Sequence, residues 1–348
     1  MSDASCPSPS PSTSPSPSAE ASSSPPSVMV SGGETEELWK EVRQGLQRSP
    51  PTLPPKLFYD ARGARLFEEI TRLPEYYPTR TELGILERCL GEVAGLVGSG
   101  ARLVEFGSGS GEKTWKLLDA LDRPATCVPI DISAEQLFAF ADRIRAAHPE
   151  MEVIPLAADY TQPFRLPPSI REEGTTLFFF PGSTVGNFEP DEAREFLANM
   201  GRAGGPDCAL LLGADRVKER EVLERAYDDA AGVTASFNRN ALRNLNRLLG
   251  GDFDPEGFAH RAPWVPEASR IEMRLVSRRE QVATLAPDLP DTEPFRIPLA
   301  EGEKIVTEHS YKFTAERLDA ICRDAGWQLV RSWTDERDWF GVHYLVPV

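Results

Sequence analysis

Cysteine is scarce and scattered in this chain. The five, Cys6, Cys89, Cys127, Cys208 and Cys322, form no CxxC pair, and their odd number and wide spacing argue against a disulfide framework or a zinc knuckle. The four histidines, His148, His260, His309 and His343, show no HExxH spacing, so no metal centre is expected. No apolar run approaches the roughly 18 residues needed to span a bilayer. The N-terminus lacks the basic-then-apolar order of a signal peptide. Basic residues are outnumbered: 38 Lys plus Arg against 54 Asp plus Glu leave a net charge of −16. That balance argues against general nucleic-acid or anionic-membrane binding, since both need basic patches. What these absences leave is a soluble, acidic, cytoplasmic protein, taken as a monomer that acts on a small molecule.

What is present suffices for a sizeable core. The 348 residues are 40% hydrophobic, and at about 150 residues per domain they make about two domains. Residues 1–33 are nearly all Ser, Pro, Ala and Gly. Such a segment buries too little apolar area to offset the entropy of ordering, so a disordered tail is expected over 1–35. Beyond it, Leu38, Val42 and Leu46 recur at helical spacing. A proline-rich stretch at 49–55 precedes a short helix at 61–73. Residues 75–80 read as a loop, and Thr81 as the cap of a helix running to Val97.

A strand–helix alternation follows. Strands are expected at 102–106, 126–130, 152–156, 176–180 and 209–212, with helices at 112–121, 134–147 and 191–200 between them. Units of this size imply an α/β fold, a parallel sheet covered by helices on both faces. The alternation stops at 218–249, which reads as helical and rich in Asn and Arg, a solvated or inter-domain face. Strands are expected again at 271–276, 280–285 and 303–313. Thr314 caps a last helix to Ala325, and 339–346 reads as an edge strand. Cys127 and Cys208 fall in strands and read as core, and His343 reads as structural.

In an open α/β sheet, ligands bind beyond the carboxyl ends of the strands. After the first strand comes Gly107-Ser108-Gly109-Ser110-Gly111. It is neither a GxxxxGK[ST] phosphate loop nor a GxGxxG dinucleotide loop, since position 112 holds Glu112. Asp131 ends the second strand, 24 positions after Gly107, where a carboxylate accepts hydrogen bonds from a ribose diol. Asp159 ends the third, within reach of an adenine amino group. Together the three fit an adenosyl ligand, and the loop favours S-adenosylmethionine (SAM) over NAD. The plainer reading is that both aspartates only cap the helices that follow.

Several separated motifs then carry a resemblance. They are FYDARG at 58–63, LFEEIT at 66–71, LPEYYPTR at 73–80, PGSTVGNF at 181–188, AYDDAAGVT at 226–234, IEMRL at 271–275 and EHSYKF at 308–313. Over about 36–348 the chain closely resembles the histidine Nα-methyltransferases of ergothioneine biosynthesis, which make trimethylhistidine (hercynine). The resemblance implies a Rossmann-like, SAM-dependent methyltransferase core at 81–217 and 307–348. It also implies a discontinuous α+β substrate-binding domain at 36–80 and 218–306.

Carried over motif by motif, the resemblance implies that Asn187 and Tyr227 hold the carboxylate of L-histidine and that Gly182 meets its amine through the backbone. Tyr59 would lie by the reacting amine as the catalytic residue, and Tyr76 by the imidazole. Met273 would line the ring pocket, and Glu308 and Ser310 would take the two ring nitrogens. Gly107, Lys113, Asp131, Asp159 and Tyr160 would bind SAM. The chemistry agrees: methyl transfer to an amine needs alignment and exclusion of water more than strong acid–base groups. The amine must still lose a proton, which a water chain at Tyr59 would carry. A plainer reading of Glu308 and Ser310 is one face of an ordinary strand. The competing functions are methylation of another amine such as a tryptophan derivative, NAD-dependent oxidoreduction, and SAM binding without catalysis.

Overall fold

The computed structural model describes Met1 and residues 32–107, 109, 111–160, 166–167 and 174–348, with backbone alone for 32–34. The expected tail thus lies outside the described residues except for Met1 and its end, where a helix already begins at Gly32. In chain order come helices α1 (Gly32–Leu46), α2 (Ala61–Thr71) and α3 (Tyr77–Val97). The alternating part is β1 (Arg102–Phe106), α4 (Glu112–Ala120), β2 (Thr126–Asp131), α5 (Ala134–Ala147), β3 (Glu152–Val153), β4 (Leu156–Ala157), β5 (Thr176–Phe180), α6 (Pro190–Gly204) and β6 (Cys208–Asp215). Helices α7 (Arg220–Tyr227) and α8 (Val233–Leu249) follow. Then come strands β7 (Phe258–Arg261), β8 (Trp264–Val265), β9 (Arg270–Ser277), β10 (Gln281–Leu285), β11 (Phe295–Leu299) and β12 (Lys304–Tyr311). Helix α9 (Ala315–Asp324) and strands β13 (Trp327–Thr334) and β14 (Phe340–Pro347) close the chain. Among the described residues, no helix is long and apolar enough to cross a membrane.

The main sheet runs β13-β14-β6-β5-β1-β2-β3, with β4 also beside β2. Its central strands are parallel and buried on both faces. Leu103, Leu177 and Phe179 pack under α3, α4 and α5, while Val104, Phe178 and Phe180 pack under α6 and α9. The expectation of a wholly parallel sheet fails at one side. β14 is antiparallel to β6, and β13 to β14, because the short turn after Thr334 can only return the chain antiparallel. β14 is also not the edge expected for 339–346. It lies between β6 and β13 and is largely buried, while β13, carrying Gln328, Arg331 and Ser332, takes the solvent edge.

Other differences have local causes. The helix expected from Thr81 starts at Tyr77, because Pro78 fits a first turn, where its missing N–H is not needed. The third strand splits around Pro155, which cannot donate to the ladder. On α8 the asparagines face inward. Asn240 donates to Asp60 at 2.7 Å, Asn244 to the Leu57 carbonyl at 3.0 Å and Asn246 to the Phe253 carbonyl at 2.8 Å. They satisfy loop carbonyls that would otherwise be buried without partners, so this is not a solvated face.

A second sheet, β12-β9-β7 with β8 beside β9, packs with α1, α2 and α8 around a core drawn from residues 38–77 and 223–305. The cores of the main sheet draw on 85–214 and 311–345. Position 306/307 lies inside β12, which pairs with β9 along its length around a bulge at Thr307. Just past β12 the Phe313 N–H donates to the Asp215 carbonyl at 2.9 Å, so the strand runs on to the main sheet.

Candidate active site

The carboxyl ends of the parallel strands face β9 and β12 across a cavity of about 790 Å³. Every residue singled out from the sequence for cofactor or substrate lines it: Gly107, Lys113, Asp131, Asp159, Tyr160, Tyr59, Tyr76, Gly182, Asn187, Tyr227, Met273, Glu308 and Ser310.

On the main-sheet side, Gly107 and Gly111 turn the chain with φ of 74° each, a region that favours glycine. A Cβ on Gly111 would fall 2.0 Å from the Phe140 ring, so the loop lies directly on α5. Ser108 and Ser110 are outside the described residues. Asp131 accepts from the Ser133 N–H at 2.9 Å through one oxygen and from the Gly109 N–H at 3.1 Å through the other. The first of these bonds closes a turn just ahead of α5 and reaches no N–H of the helix itself, so Asp131 is not a helix cap. The same carboxylate also fastens the glycine loop, and each oxygen keeps a lone pair for a ligand. Asp159 accepts from Lys56 at 3.3 Å, across the cavity mouth.

Glu82 on α3 was not foreseen. It is fully buried, takes the Gly182 N–H at 2.9 and 3.0 Å, and pairs with Lys113 at 2.5 Å. With its N–H committed, Gly182 offers the cavity only its carbonyl. The sequence signal was there: Glu82 sits three, four and seven positions before Ile85, Leu86 and Cys89 on the apolar stripe of α3. Next to Gly182, Ser183 holds φ at 58°, and its Oγ accepts from the Asp215 N–H at 2.8 Å. This bond ties the loop carrying Asn187 to the end of β6 and offsets the strain of a left-handed serine.

On the other side, Met273 and Glu308 stand directly opposite each other on β9 and β12. Tyr59, Tyr76 and Phe237 supply aromatic walls. Desolvation pushes the Tyr59 and Tyr76 phenols well up. At neutral pH Tyr59 therefore presents a hydroxyl and not a phenolate base. The Glu308 side chain has no hydrogen-bond partner among the described residues. Burial pushes its carboxyl up to about 7, against the pull of the Lys312 ammonium. Tyr227 Oη lies 2.8 Å from Ser310 Oγ. Lys312 and Asp215, also not foreseen, are fully buried behind that pair, joined at 2.8 Å.

The sheet order and the glycine loop tied to the strand-two aspartate, both at the edge of one large cavity, are those of a Rossmann-like methyltransferase that uses SAM. Residues 38–347 match the family model described as histidine-specific methyltransferase, SAM-dependent, and the chain belongs to that family. It is 42% identical to a histidine N-alpha-methyltransferase from Mycolicibacterium smegmatis, over 91% of this chain and 97% of the relative. It is 30% identical to ergothioneine biosynthesis protein 1 from Neurospora crassa, over 85% of this chain and 33% of that longer protein. It is 29% identical to a 4-dimethylallyltryptophan N-methyltransferase from Arthroderma benhamiae, over 90% of this chain and 95% of the relative.

Proposed function

We propose that the chain transfers methyl groups from SAM to the α-amino nitrogen of L-histidine until it carries three, giving hercynine for ergothioneine synthesis. The observation that carries this reading is Glu308, a buried carboxylate without a hydrogen-bond partner among the described residues, in the cavity that also holds the glycine loop and Asp131. A buried acceptor of this kind needs a donor, and an imidazole N–H is one.

The residues suit SAM. Asp131 has acceptor capacity for the ribose diol, Asp159 and Tyr160 lie further along the same wall, and Gly107 lets a ligand approach the backbone closely. Lys113 lies below the loop beside Gly182. When bound, SAM supplies a methyl on a sulfonium, already a good leaving group. The protein's own work is then alignment. Asn187 and Tyr227 hold the substrate carboxylate, and the Gly182 carbonyl faces the amine. The Tyr59 hydroxyl holds the amine, or a water that receives its proton. Tyr76 and Met273 flank the ring, and Glu308 and Ser310 take its two nitrogens. A phenylalanine or leucine side chain would leave Glu308 unpaired, a situation that discriminates by roughly 10⁴-fold in sites of this kind.

The division of the cores supports a substrate-binding domain at 36–80 and 218–306 beside a methyltransferase domain at 81–217 and 307–348. Cys89, Cys127, Cys208 and Cys322 are free and buried, which suits a reducing compartment. We place the enzyme in the cytoplasm as a monomer.

Mass spectrometry of the purified chain with SAM and, separately, His, Trp, Tyr and Phe tests the reading. The expected result is histidine gaining three methyls. Methylation of tryptophan instead would overturn the pocket assignment. SAM binding with no transfer to any amine would revive the non-catalytic reading.

A further inference from the structure

Lys312 has no place in the assignment above, yet it is fully buried beside the cavity with three polar partners. Its Nζ reaches Asp215 Oδ2 at 2.8 Å, Tyr227 Oη at 2.8 Å and Ser310 Oγ at 2.9 Å. An ammonium has three protons, and all three are used. Both hydroxyl oxygens therefore accept from Lys312. They also touch each other at 2.8 Å, so one of their two protons is spent between them. Only one hydroxyl proton can leave this triangle toward the cavity.

The charges behind the triangle fix what that proton is for. Asp215 is buried against two ammoniums, Lys312 and Lys218, and also accepts from Tyr77 at 2.7 Å. Lys218 in turn donates to Tyr77 Oη at 2.7 Å. At hydrogen-bond distance the two ammoniums share the Asp215 carboxylate, with Asp335 acting on Lys218 from further off, and positive charge in the protein interior is costly unless acceptors meet it. Among the described residues, the Tyr227 and Ser310 hydroxyls stand between Lys312 and the cavity. The Lys312 Nζ also lies 4.6 Å from the centroid of the Tyr227 ring, along the face of the phenol it polarises. Glu308 stands two positions before Ser310 on the same strand face and shares this field, but it makes no hydrogen bond to Lys312.

We propose that Lys312 is a positioning residue that makes the site selective for substrates with a free α-carboxylate over the corresponding amides or decarboxylated amines. It does so by sending the one free hydroxyl proton of the pair toward the carboxylate through Tyr227, which leaves Ser310 an acceptor for a ring N–H, and by placing a positive charge one hydroxyl behind the carboxylate. This deepens the functional reading above and rests on its placing the substrate carboxylate at Tyr227.

The test uses the full chain with SAM and compares kcat/KM for L-histidine and L-histidinamide, which differ at the carboxylate alone. Wild type is expected to prefer histidine by at least a hundredfold. Lys312→Met keeps the buried stem without the charge. It is expected to lower kcat/KM for histidine at least tenfold, mainly through KM, and to shrink the histidine-to-amide ratio at least tenfold, with SAM affinity by calorimetry within twofold of wild type. Tyr227→Phe removes the hydroxyl that transmits the effect and is less disruptive to folding. It is expected to shrink the same ratio, so the test survives if Lys312→Met fails to fold. Equal losses for both substrates in Lys312→Met would reduce Lys312 to a structural residue. An unchanged ratio in Tyr227→Phe would overturn the proposal outright. If wild type methylates another α-amino acid, the histidine assignment fails alone, and that amino acid and its amide take the place of the pair. Preference of wild type for the amide would sink both.

Discussion

Glu82 and Lys113 meet at 2.5 Å beneath the loop at 181–183, and the same carboxylate receives the Gly182 N–H. One side chain from α3 thus fixes two neighbouring groups of the cavity wall, a lysine at the start of α4 and a backbone turn after β5. Replacing Glu82 with Ala should leave Lys113 and the Gly182 N–H without partners. Breaking a buried pair typically costs about 3 kcal/mol or more. A urea-unfolding midpoint equal to wild type would contradict this account.

Gly111 adopts a φ of 74°, and a Cβ there would fall 2.0 Å from the Phe140 ring. Gly111→Ala should therefore displace the glycine loop from α5, lower the thermal midpoint and weaken SAM at least tenfold. Calorimetric SAM affinity within twofold of wild type would mean that the loop does not form the cofactor cradle.

Asp131 serves the glycine loop and the turn ahead of α5 at once. Asp131→Ala removes both acceptors and the ribose partner, and hydrogen bonds to a charged group are worth about 1.5–3 kcal/mol each. The expected loss in SAM affinity is roughly tenfold to a hundredfold, with Asp131→Asn intermediate. The same titrations followed by histidine kinetics at saturating SAM should show a near-normal KM. A histidine KM that rises while SAM affinity holds would place Asp131 on the wrong ligand.

Glu308 gives a pH signature. Its carboxyl is raised from 4.5 to about 7 in the fold by burial. Between those values the folded chain holds a proton that the unfolded chain has released, so stability falls as pH rises through that window, by at most about 3 kcal/mol. Glu308→Gln should remove this slope and be the more stable protein at pH 8 by chemical denaturation. Function runs the other way. The ionised carboxylate is the one that accepts an imidazole N–H, so the wild-type KM for histidine should fall as pH rises from about 6 to 8. The variant should have a KM raised severalfold or more, without that added pH dependence and with SAM affinity preserved. Parallel pH profiles in the two proteins would remove Glu308 from the ring site.

The strands of the alternating part and the residues at their ends were legible because the signals are local. A strand buried on both faces reads as a short apolar run, as in 176–180, and the ligand-facing groups sit at its carboxyl end. The motifs placed eight residues and the first three strand ends with their loops five more, and all thirteen line one cavity. Strands β7, β8, β11 and β13 were not legible, since short or edge strands carry weak patterning, and a proline such as Pro298, which β11 contains, argues against a strand in sequence. The asparagines of α8 read as a polar surface because sequence alone does not say that carbonyls from Leu57 and Phe253 need partners there.

The sequence by itself determined the strand–helix rhythm, the glycine loop with Asp131, and the motifs of the family. These depend on neighbours within a few residues or on fixed spacing along one strand, which the chain carries in any conformation. Only the tertiary structure decided that Glu82 would join Lys113 to Gly182, 31 and 100 positions away, and that Lys312 would stand behind Tyr227 and Ser310 against Asp215. A buried charge has no local pattern to announce it. Its partner is whichever opposite or polar group the packing brings within hydrogen-bond reach: for Glu82 that is settled where α3 meets α4 and the loop after β5, and for Lys312 where the two sheets meet past β12.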